Sequence, residues 1–161
     1  MTADWTQLRW AEPDDYTRLG EVMFDAVRNG DSPYSEAQRS AWVPQPRNGS
    51  NWFKRLDRQA IVVAERDSAI LGFMSLAESG YIDFAYIRPE AQGTGLFKRL
   101  YKLVESQAIN ADEGRLWVHA SLKAQPAFSA MGFRIVRPET VTIGDQILDR
   151  FEMEKALSSL V

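Results

Sequence analysis

The sequence predicts an α/β (α+β) fold in which a mixed, mostly antiparallel central sheet carries helices on both faces. Three short β-rich segments, AIVVAE (60–65), ILGFMSLA (70–77) and YIDFAYI (81–87), follow one another with turn residues between them, as antiparallel neighbours do. Segments with helical periodicity precede these strands and alternate with the later ones. The 161 residues, 45% of them hydrophobic, fit one domain spanning 1–161.

The first third of the chain is predicted to be mainly helical. LRW (8–10) is a short strand candidate, and a helix begins at Pro13, because proline and the two aspartates after it suit the first turn. Gly30 is a plausible end for that helix. Residues 31–59 predict two short helices separated by the loop PQPRNGS.

The second half alternates between helices and strands. Residues 96–111 place apolar side chains on one helical face, and RLWVHAS (115–121) is the next strand. Because this strand follows a strand and a helix, we expect it to pair in parallel with an earlier one. A short helix near 124–131, the segment FRIV and a β region near 141–154 complete the prediction.

Composition excludes several classes of function. The absence of cysteine excludes disulfides, thiolate zinc sites and a cysteine nucleophile, and is compatible with a reducing cytoplasm, where we expect the protein. One histidine predicts no metal site. The start shows no signal-peptide pattern, and no apolar run is long enough to cross a membrane. The net charge of −3 is mixed along the chain, so we expect neither nucleic acid nor membrane as a partner.

The turn GTG (93–95) and the basic residues after it raise a question of binding. Lys98, Arg99 and Lys102 lie where the helix dipole favours anions, not cations. An anion on the unpaired amides of the helix start would explain both the glycines and the charges. The alternative is an ordinary tight turn followed by a solvated face. A P-loop motif is absent, and Lys98 replaces the third glycine of a dinucleotide fingerprint.

Two segments carry a resemblance to a known family. IRPEAQGTGLF (87–97) resembles the acyl-CoA pyrophosphate loop of the GNAT superfamily of N-acetyltransferases, although Phe97 departs from the usual small residue. ASLKAQPAFSAMGF (120–133) is similar to the late helix of that family and the Gly-Phe after it. The order of elements fits over nearly the whole chain. Residues 34–59 look like a bacterial subgroup whose substrates are largely unassigned.

The resemblance implies a cofactor and a place for it. Acetyl-CoA would be the cosubstrate, with its pantetheine in a splay between the fourth and fifth strands and its diphosphate on the glycine turn. An amine of a small molecule or a protein would be the acceptor, and the acetyl group would pass to it directly. The cofactor-binding residues implied are Ala85, Tyr86, Ile87, Gln92, Gly93, Thr94, Gly95, Leu96, Phe97, Lys98, Ser121 and Phe128.

Three residues are candidates for the catalytic groups, and the usual general acid of the family is replaced. Many relatives have a tyrosine as general acid four residues after the alanine matching Ala124, and Phe128 stands there in this chain. Asp83, His119 and Tyr86 are the catalytic candidates, as base, proton shuttle and hydroxyl donor. A strand carboxylate, a structural histidine and a strand aromatic are the competing interpretations.

The acceptor pocket is assigned to aromatic and acidic side chains. Tyr34, Trp42, Tyr81 and Asp83 are the candidates, and strand parity predicts that Tyr81, Asp83 and Ala85 share one face. Core packing is the alternative for the aromatic residues. A non-catalytic acyl-CoA-binding or regulatory domain, motivated by Phe128, and an interaction module with a plain tight turn are the competing functions. A monomer and a homodimer both remain open.

Overall fold

The computed structural model describes residues 5–158, which form five helices and seven strands along with three short 3₁₀ turns. The helices are α1 (Tyr16–Arg28), α2 (Glu36–Trp42), α3 (Ser50–Asp57), α4 (Leu96–Asn110) and α5 (Gln125–Ala130). The strands are β1 (Gln7–Trp10), β2 (Ala60–Arg66), β3 (Ala69–Leu76), β4 (Tyr81–Ile87), β5 (Arg115–Ser121), β6 (Arg134–Ile143) and β7 (Gln146–Ala156).

All seven strands belong to one mixed sheet with the order β1-β2-β3-β4-β5-β7-β6. The β4–β5 pair is parallel and the other pairs are antiparallel, which confirms the predicted fold class. The C-terminal region differs from the prediction, because β6 and β7 form one long hairpin. Pro138 interrupts the sequence signal of β6, but an edge strand tolerates proline.

Each face of the sheet buries its own core. Alternate residues of β2 point to opposite faces: Val62 and Ala64 pack on the α4 side, while Ile61 and Val63 pack on the side of α1 and α3. The central strands are therefore buried on both faces, as the continuous apolar run AIVVA indicates. No helix within residues 5–158 is both long and apolar enough to span a bilayer.

Strand β4 contains a bulge next to its contact with β5. Met74 of β3 pairs with Ala85. Two residues further along β3, Leu76 pairs with Ile82, three residues before Ala85. Two residues of β4 therefore lie opposite Ser75, which is the arrangement of a β-bulge.

The bulge changes which face each side chain of β4 occupies. The buried Ser75 hydroxyl accepts a hydrogen bond from the Phe84 amide at 3.0 Å, which satisfies a donor within the bulge. Ala85 packs on the α4 side, whereas Asp83 accepts hydrogen bonds from Arg55 at the end of α3. The expectation that Asp83 and Ala85 share a face is wrong, because the extra residue breaks the alternation between them.

Candidate active site

Strands β4 and β5 separate after a short parallel contact. Tyr81 pairs with Trp117 and Ile82 with Val118, and no further pairs follow within the described chain. This separation is the predicted splay. It leaves one side of β4 without a strand partner over the rest of its length, so the backbone groups there are available to a ligand.

The hydrogen bonds of β4 show which backbone groups face the splay. The Arg88 amide donates to the Leu71 carbonyl at 2.8 Å, so residue 88 directs its main-chain groups toward β3. Because these groups alternate sides along a strand, Ala85 and Ile87 direct theirs into the splay. The Gln92 side chain donates to the Ile87 carbonyl at 2.9 Å, so the predicted glycine loop lies against this end of the splay.

The glycine turn forms an open start to α4. Gly93 and Gly95 have φ angles of 75° and 84°, a left-handed conformation that favours glycine. A Cβ at either position would meet nothing within 4 Å, so the space above the turn is open. The first bond of the helix runs from the Arg99 amide to the Gly95 carbonyl at 3.3 Å, which leaves the amides of residues 96–98 for a ligand.

A cavity of about 400 Å³ connects the splay and the glycine turn. Lys98 lines it, but the other two basic residues of the helix start do not: Arg99 donates to the Thr6 carbonyl at 3.0 Å, and Lys102 lies outside the cavity. Lys123 also lines it, and its ammonium donates to the Asp31 carbonyl. Burial lowers the pKa of Lys123. Sequence reasoning missed Lys123, because one lysine after a strand has no distinguishing pattern.

Most of the predicted site residues gather in this cavity. Those that line it are Tyr34, Trp42, Ala85, Tyr86, Ile87, Gln92, Gly93, Gly95, Leu96, Phe97, Lys98 and Ser121. Those that do not are Tyr81, Asp83, Thr94, His119 and Phe128. Thr94 lies in the turn itself, where its hydroxyl donates to the Ala91 carbonyl at 2.6 Å and so supports the loop from the other side.

Phe128 is a core residue behind the cavity wall. Only 1% of its surface is exposed, and its ring packs edge-on against Phe97 at 5.0 Å and Phe133 at 5.1 Å between ring centroids. Phe97 lies between Phe128 and the cavity and lines the cavity itself. Phe97, the bulky residue at the end of the loop motif, therefore forms an aromatic cluster with Phe128.

Aromatic side chains form the wall of the cavity opposite α4. The rings of Tyr34 and Trp42 lie 5.9 Å apart, and those of Trp42 and Tyr86 lie 6.1 Å apart. The Tyr34 hydroxyl donates to the Asp149 carbonyl at 2.6 Å and accepts from the Leu122 amide at 3.0 Å. Its hydrogen-bonding capacity is used in holding the α1–α2 connection against the end of β5.

The Tyr86 hydroxyl, by contrast, has no hydrogen-bond partner within residues 5–158. It lines the cavity, and burial raises the pKa of the phenol well above its usual value. The group therefore keeps its proton at neutral pH. An unpartnered, protonated hydroxyl on a residue of the cavity wall is able to donate a hydrogen bond to a bound ligand.

Asp83 is fully engaged with neighbouring side chains. Arg55 donates to both of its carboxylate oxygens, at 2.6 and 2.8 Å, and Gln59 donates at 2.7 Å. The Asp83 side chain is 8% exposed. Both carboxylate oxygens are therefore already used as hydrogen-bond acceptors.

His119 lies in a charged cluster on the sheet, outside the cavity. Its Nδ1 contacts the Glu139 carboxylate, which also accepts a hydrogen bond from Arg150 at 2.7 Å. Burial acts to raise the pKa of Glu139, but the His119 and Arg150 contacts outweigh it, so the pKa lies below its usual range. Tyr81 packs its ring 5.7 Å from the imidazole. Strand register alone brings this cluster together, so no sequence motif marks it.

The same cluster contains potential metal ligands. Atoms of His119, Glu139 and Glu152 that can coordinate a metal lie within 4.8 Å of one another. The Arg150 guanidinium pairs with Glu139 and so neutralises part of the negative charge of the two glutamates. Ser121, two residues after His119, accepts a hydrogen bond from the Ala124 amide at 3.1 Å and lines the cavity.

Comparison with known proteins agrees with this architecture. Residues 31–157 match the family model of the acetyltransferase (GNAT) domain. The chain is 32% identical over 137 residues to the uncharacterized N-acetyltransferase YafP of Escherichia coli (strain K12), a match that covers 84% of this chain and 85% of YafP.

Solved structures share the whole fold. A GCN5-related N-acetyltransferase from Rhodopseudomonas palustris, described as "Aminotransferase, Class-II", has a TM-score of 0.89 and 26% identity, over 98% of this chain and 99% of that chain. The structure of yncA from Salmonella typhimurium with its cofactor acetyl-CoA has a TM-score of 0.68 and 17% identity, over 97% and 96% of the two chains. The family model and the identity to YafP show that this chain belongs to the GNAT superfamily of N-acetyltransferases.

Proposed function

We propose that the protein transfers the acetyl group of acetyl-CoA directly to a primary amine. The observation that carries the proposal is the open glycine turn at the start of α4, which faces the same cavity as the splay between β4 and β5. The yncA protein, which shares this fold, has acetyl-CoA as its cofactor. The cavity of this chain offers backbone amides and two lysines to such a molecule.

The chain offers separate contacts to separate parts of the coenzyme. The free amides of residues 96–98 and the Lys98 ammonium suit the diphosphate. The backbone groups of Ala85 and Ile87 suit the pantetheine amides, which would lie beside β4 like an added strand. Lys123 adds a second positive charge to the cavity.

Tyr86 is the residue of the cavity wall that we consider for the chemistry. The coenzyme supplies a thioester, whose carbonyl carbon bonds to the amine nitrogen as the bond to sulfur breaks. Overall the amine loses one proton and the leaving thiolate gains one. We assign Tyr86 the role of hydrogen-bond donor to this reaction, because its protonated hydroxyl is unpartnered among the described residues and lines the cavity.

Asp83 and His119 fit positioning roles better than direct proton transfer. The Asp83 carboxylate already accepts three hydrogen bonds, and the His119 imidazole is paired with Glu139 away from the cavity. We propose that Asp83 holds Arg55 and the end of α3 in place. In this arrangement solvent removes the proton from the attacking amine.

Binding of the coenzyme is the direct test. Titration calorimetry with acetyl-CoA is expected to show binding by the wild type and a loss of at least about 100-fold in affinity in Gly95→Glu, whose carboxylate would face the diphosphate. Gly144→Glu is the matched control, because Gly144 also has a positive φ of 60° and open space, but lies in the β6–β7 turn. No heat with the wild type, or equal affinity in Gly95→Glu, would contradict the proposal.

A non-catalytic acyl-CoA-binding domain is the second candidate, favoured by the buried Phe128 at the position where relatives have their tyrosine. Release of free CoA separates the two. The chain contains no cysteine, so a thiol reagent reports only the thiol of the coenzyme. Amine-dependent thiol release supports the transferase, and binding without release across a broad panel of amines supports the second candidate.

A further inference from the structure

A second cavity shares a lining residue, Trp42, with the first. It has a volume of about 450 Å³ and is enclosed by the end of α2, the loop of residues 43–49 and the start of α3. Trp42 lines both cavities, so its indole forms their common wall. The prolines of the loop and Trp52 contribute further apolar surface. Tyr86, which lines the main cavity, packs against the same indole, with 6.1 Å between the ring centroids.

The charged side chains that line this second cavity are all positive within the described chain. Arg47 and Arg55 line it, and no acidic residue is among the lining residues within the described chain. Arg55 donates two hydrogen bonds to the Asp83 carboxylate. One of the two arginines is therefore neutralised and the other is not.

Arg47 is a half-buried cation without a protein partner. Within residues 5–158 its guanidinium makes no hydrogen bond or ion pair, although its charge interacts with Tyr86, Arg55 and Asp83. Burial lowers the pKa of Arg47, because it disfavours the charged form. A guanidinium that lines a cavity and has no counter-ion among the described residues is available to a bound anion.

The backbone holds Arg47 in position. Its carbonyl packs so closely on α1 that an added Cβ at Gly20 would lie 1.9 Å from the oxygen. The indole nitrogen of Trp52 donates to the Tyr16 carbonyl at 2.8 Å and fixes α3 to the same helix. The loop therefore packs on α1 at Arg47, and α3 is fixed to the same helix.

We infer that Arg47 binds a carboxylate of the acceptor, so that the substrate is an amine of the amino-acid class. This inference rests on the proposed function for the identity of the reaction. The apolar wall of Trp42, Trp52 and the prolines suits the side chain of such a substrate, and its amine points past Trp42 toward Tyr86. The guanidinium supplies two parallel donors, which match a carboxylate in geometry and charge.

Direct binding tests the inference without requiring turnover. Saturation-transfer NMR is carried out on the protein in the presence of CoA, with a mixture of N-acetyl-L-amino acids and, separately, with the corresponding N-acetyl-L-amino acid amides. We expect signals from the acids and at least tenfold weaker binding of the amides. Arg47→Gln should bring acids and amides within twofold of each other. Arg58→Gln is the control, since it removes the same charge at the exposed end of α3, outside the cavity.

Turnover separates this inference from the proposed function. With L-amino acids and their amides as acceptors, we expect kcat/KM for thiol release to favour the acids at least tenfold in the wild type and less than twofold in Arg47→Gln. Binding of the acids without turnover would contradict the transferase but support the carboxylate site. Turnover or binding that is indifferent to the carboxylate, or unchanged in Arg47→Gln, would overturn the inference whether or not the protein acetylates amines.

Discussion

The two halves of the candidate site are built from different kinds of groups. The half assigned to acetyl-CoA consists largely of main chain: the free amides at the start of α4, the positive-φ glycines and the unpaired side of β4. The half assigned to the acceptor consists of side chains from α2, α3 and the loop between them. A binding surface made of backbone tolerates change in most side chains, whereas one made of side chains can change with each substitution. The first half is therefore suited to a constant ligand and the second to a variable one.

Tyr86 stands where the two halves meet, so it is the residue whose change has the largest expected effect. We expect Tyr86→Phe to lower kcat about 100-fold, because it removes one preorganised donor without altering the packing of the ring. The dissociation constant of acetyl-CoA, measured by calorimetry, should change less than twofold. Tyr81→Phe is the control, because the Tyr81 ring packs on Trp117 outside the cavity. A kcat of Tyr86→Phe within threefold of the wild type would remove Tyr86 from the reaction.

Gly20→Ala tests whether the acceptor half is separable from the coenzyme half. Alanine normally stabilises a helix by about 1 kcal/mol relative to glycine. Here its Cβ would meet the Arg47 carbonyl at 1.9 Å, and moving backbone to relieve such a clash costs about 1 to 3 kcal/mol, so the clash dominates. We expect net destabilisation in urea unfolding and about a tenfold loss in kcat/KM for the acceptor, with the affinity for acetyl-CoA retained.

Gly114→Ala is the control for this change, because a Cβ at Gly114 would meet no atom within 4 Å. Equal losses of acceptor and coenzyme binding in Gly20→Ala would mean that the halves are mechanically coupled. The coenzyme half and the acceptor half would then consist of different groups, but a change in one would weaken binding in both.

The same contrast explains what the sequence could predict. The glycine turn and the order of elements leave residue-type signatures, because a left-handed backbone requires glycine and a buried strand requires apolar residues. Lys123 and Arg47 leave none, since their roles depend on which elements meet in space. The position of Asp83 was predicted wrongly because a bulge depends on the pairing register with β3, which a single strand does not encode.

Phe128→Tyr addresses a residue that resemblance assigned to the site and the structure places in the core. Phe128 is 1% exposed and packs on Phe97 and Phe133, and a buried hydroxyl that makes no hydrogen bond costs about 1 to 3 kcal/mol in the free energy of unfolding. We expect kcat to stay within twofold of the wild type in a thiol-release assay. A tenfold rise in kcat would show that the new hydroxyl reaches the leaving thiolate, and position 128 would then belong to the site.

Asp15→Asn is expected to affect stability with the smallest effect on function, because Asp15 connects β1 to the start of α1 away from both cavities. The Asp15 carboxylate accepts hydrogen bonds from Arg9 at 2.8 Å and Arg18 at 2.9 Å, and its side chain is 5% exposed. The bond from Arg9 is the main reason that the pKa of Asp15 lies well below its usual value. A carboxylate with a depressed pKa stabilises the fold at neutral pH, and this contribution is lost as the pH falls below about 4.

Urea unfolding at pH 7, 5 and 3 measures this loss in wild type and Asp15→Asn. At pH 7 we expect the variant to be less stable by about 2 to 3 kcal/mol, since it removes the buried carboxylate and leaves Glu65 to pair with both Arg9 and Arg18. The difference should shrink at pH 3, where the wild-type carboxylate begins to lose its advantage. The affinity for acetyl-CoA and the kcat/KM for the acceptor at pH 7 should both change less than twofold. A larger change in the kcat/KM for the acceptor would mean that Asp15 orients α1. Through the contact of Gly20 with the Arg47 carbonyl, Asp15 would then also affect the acceptor half of the site.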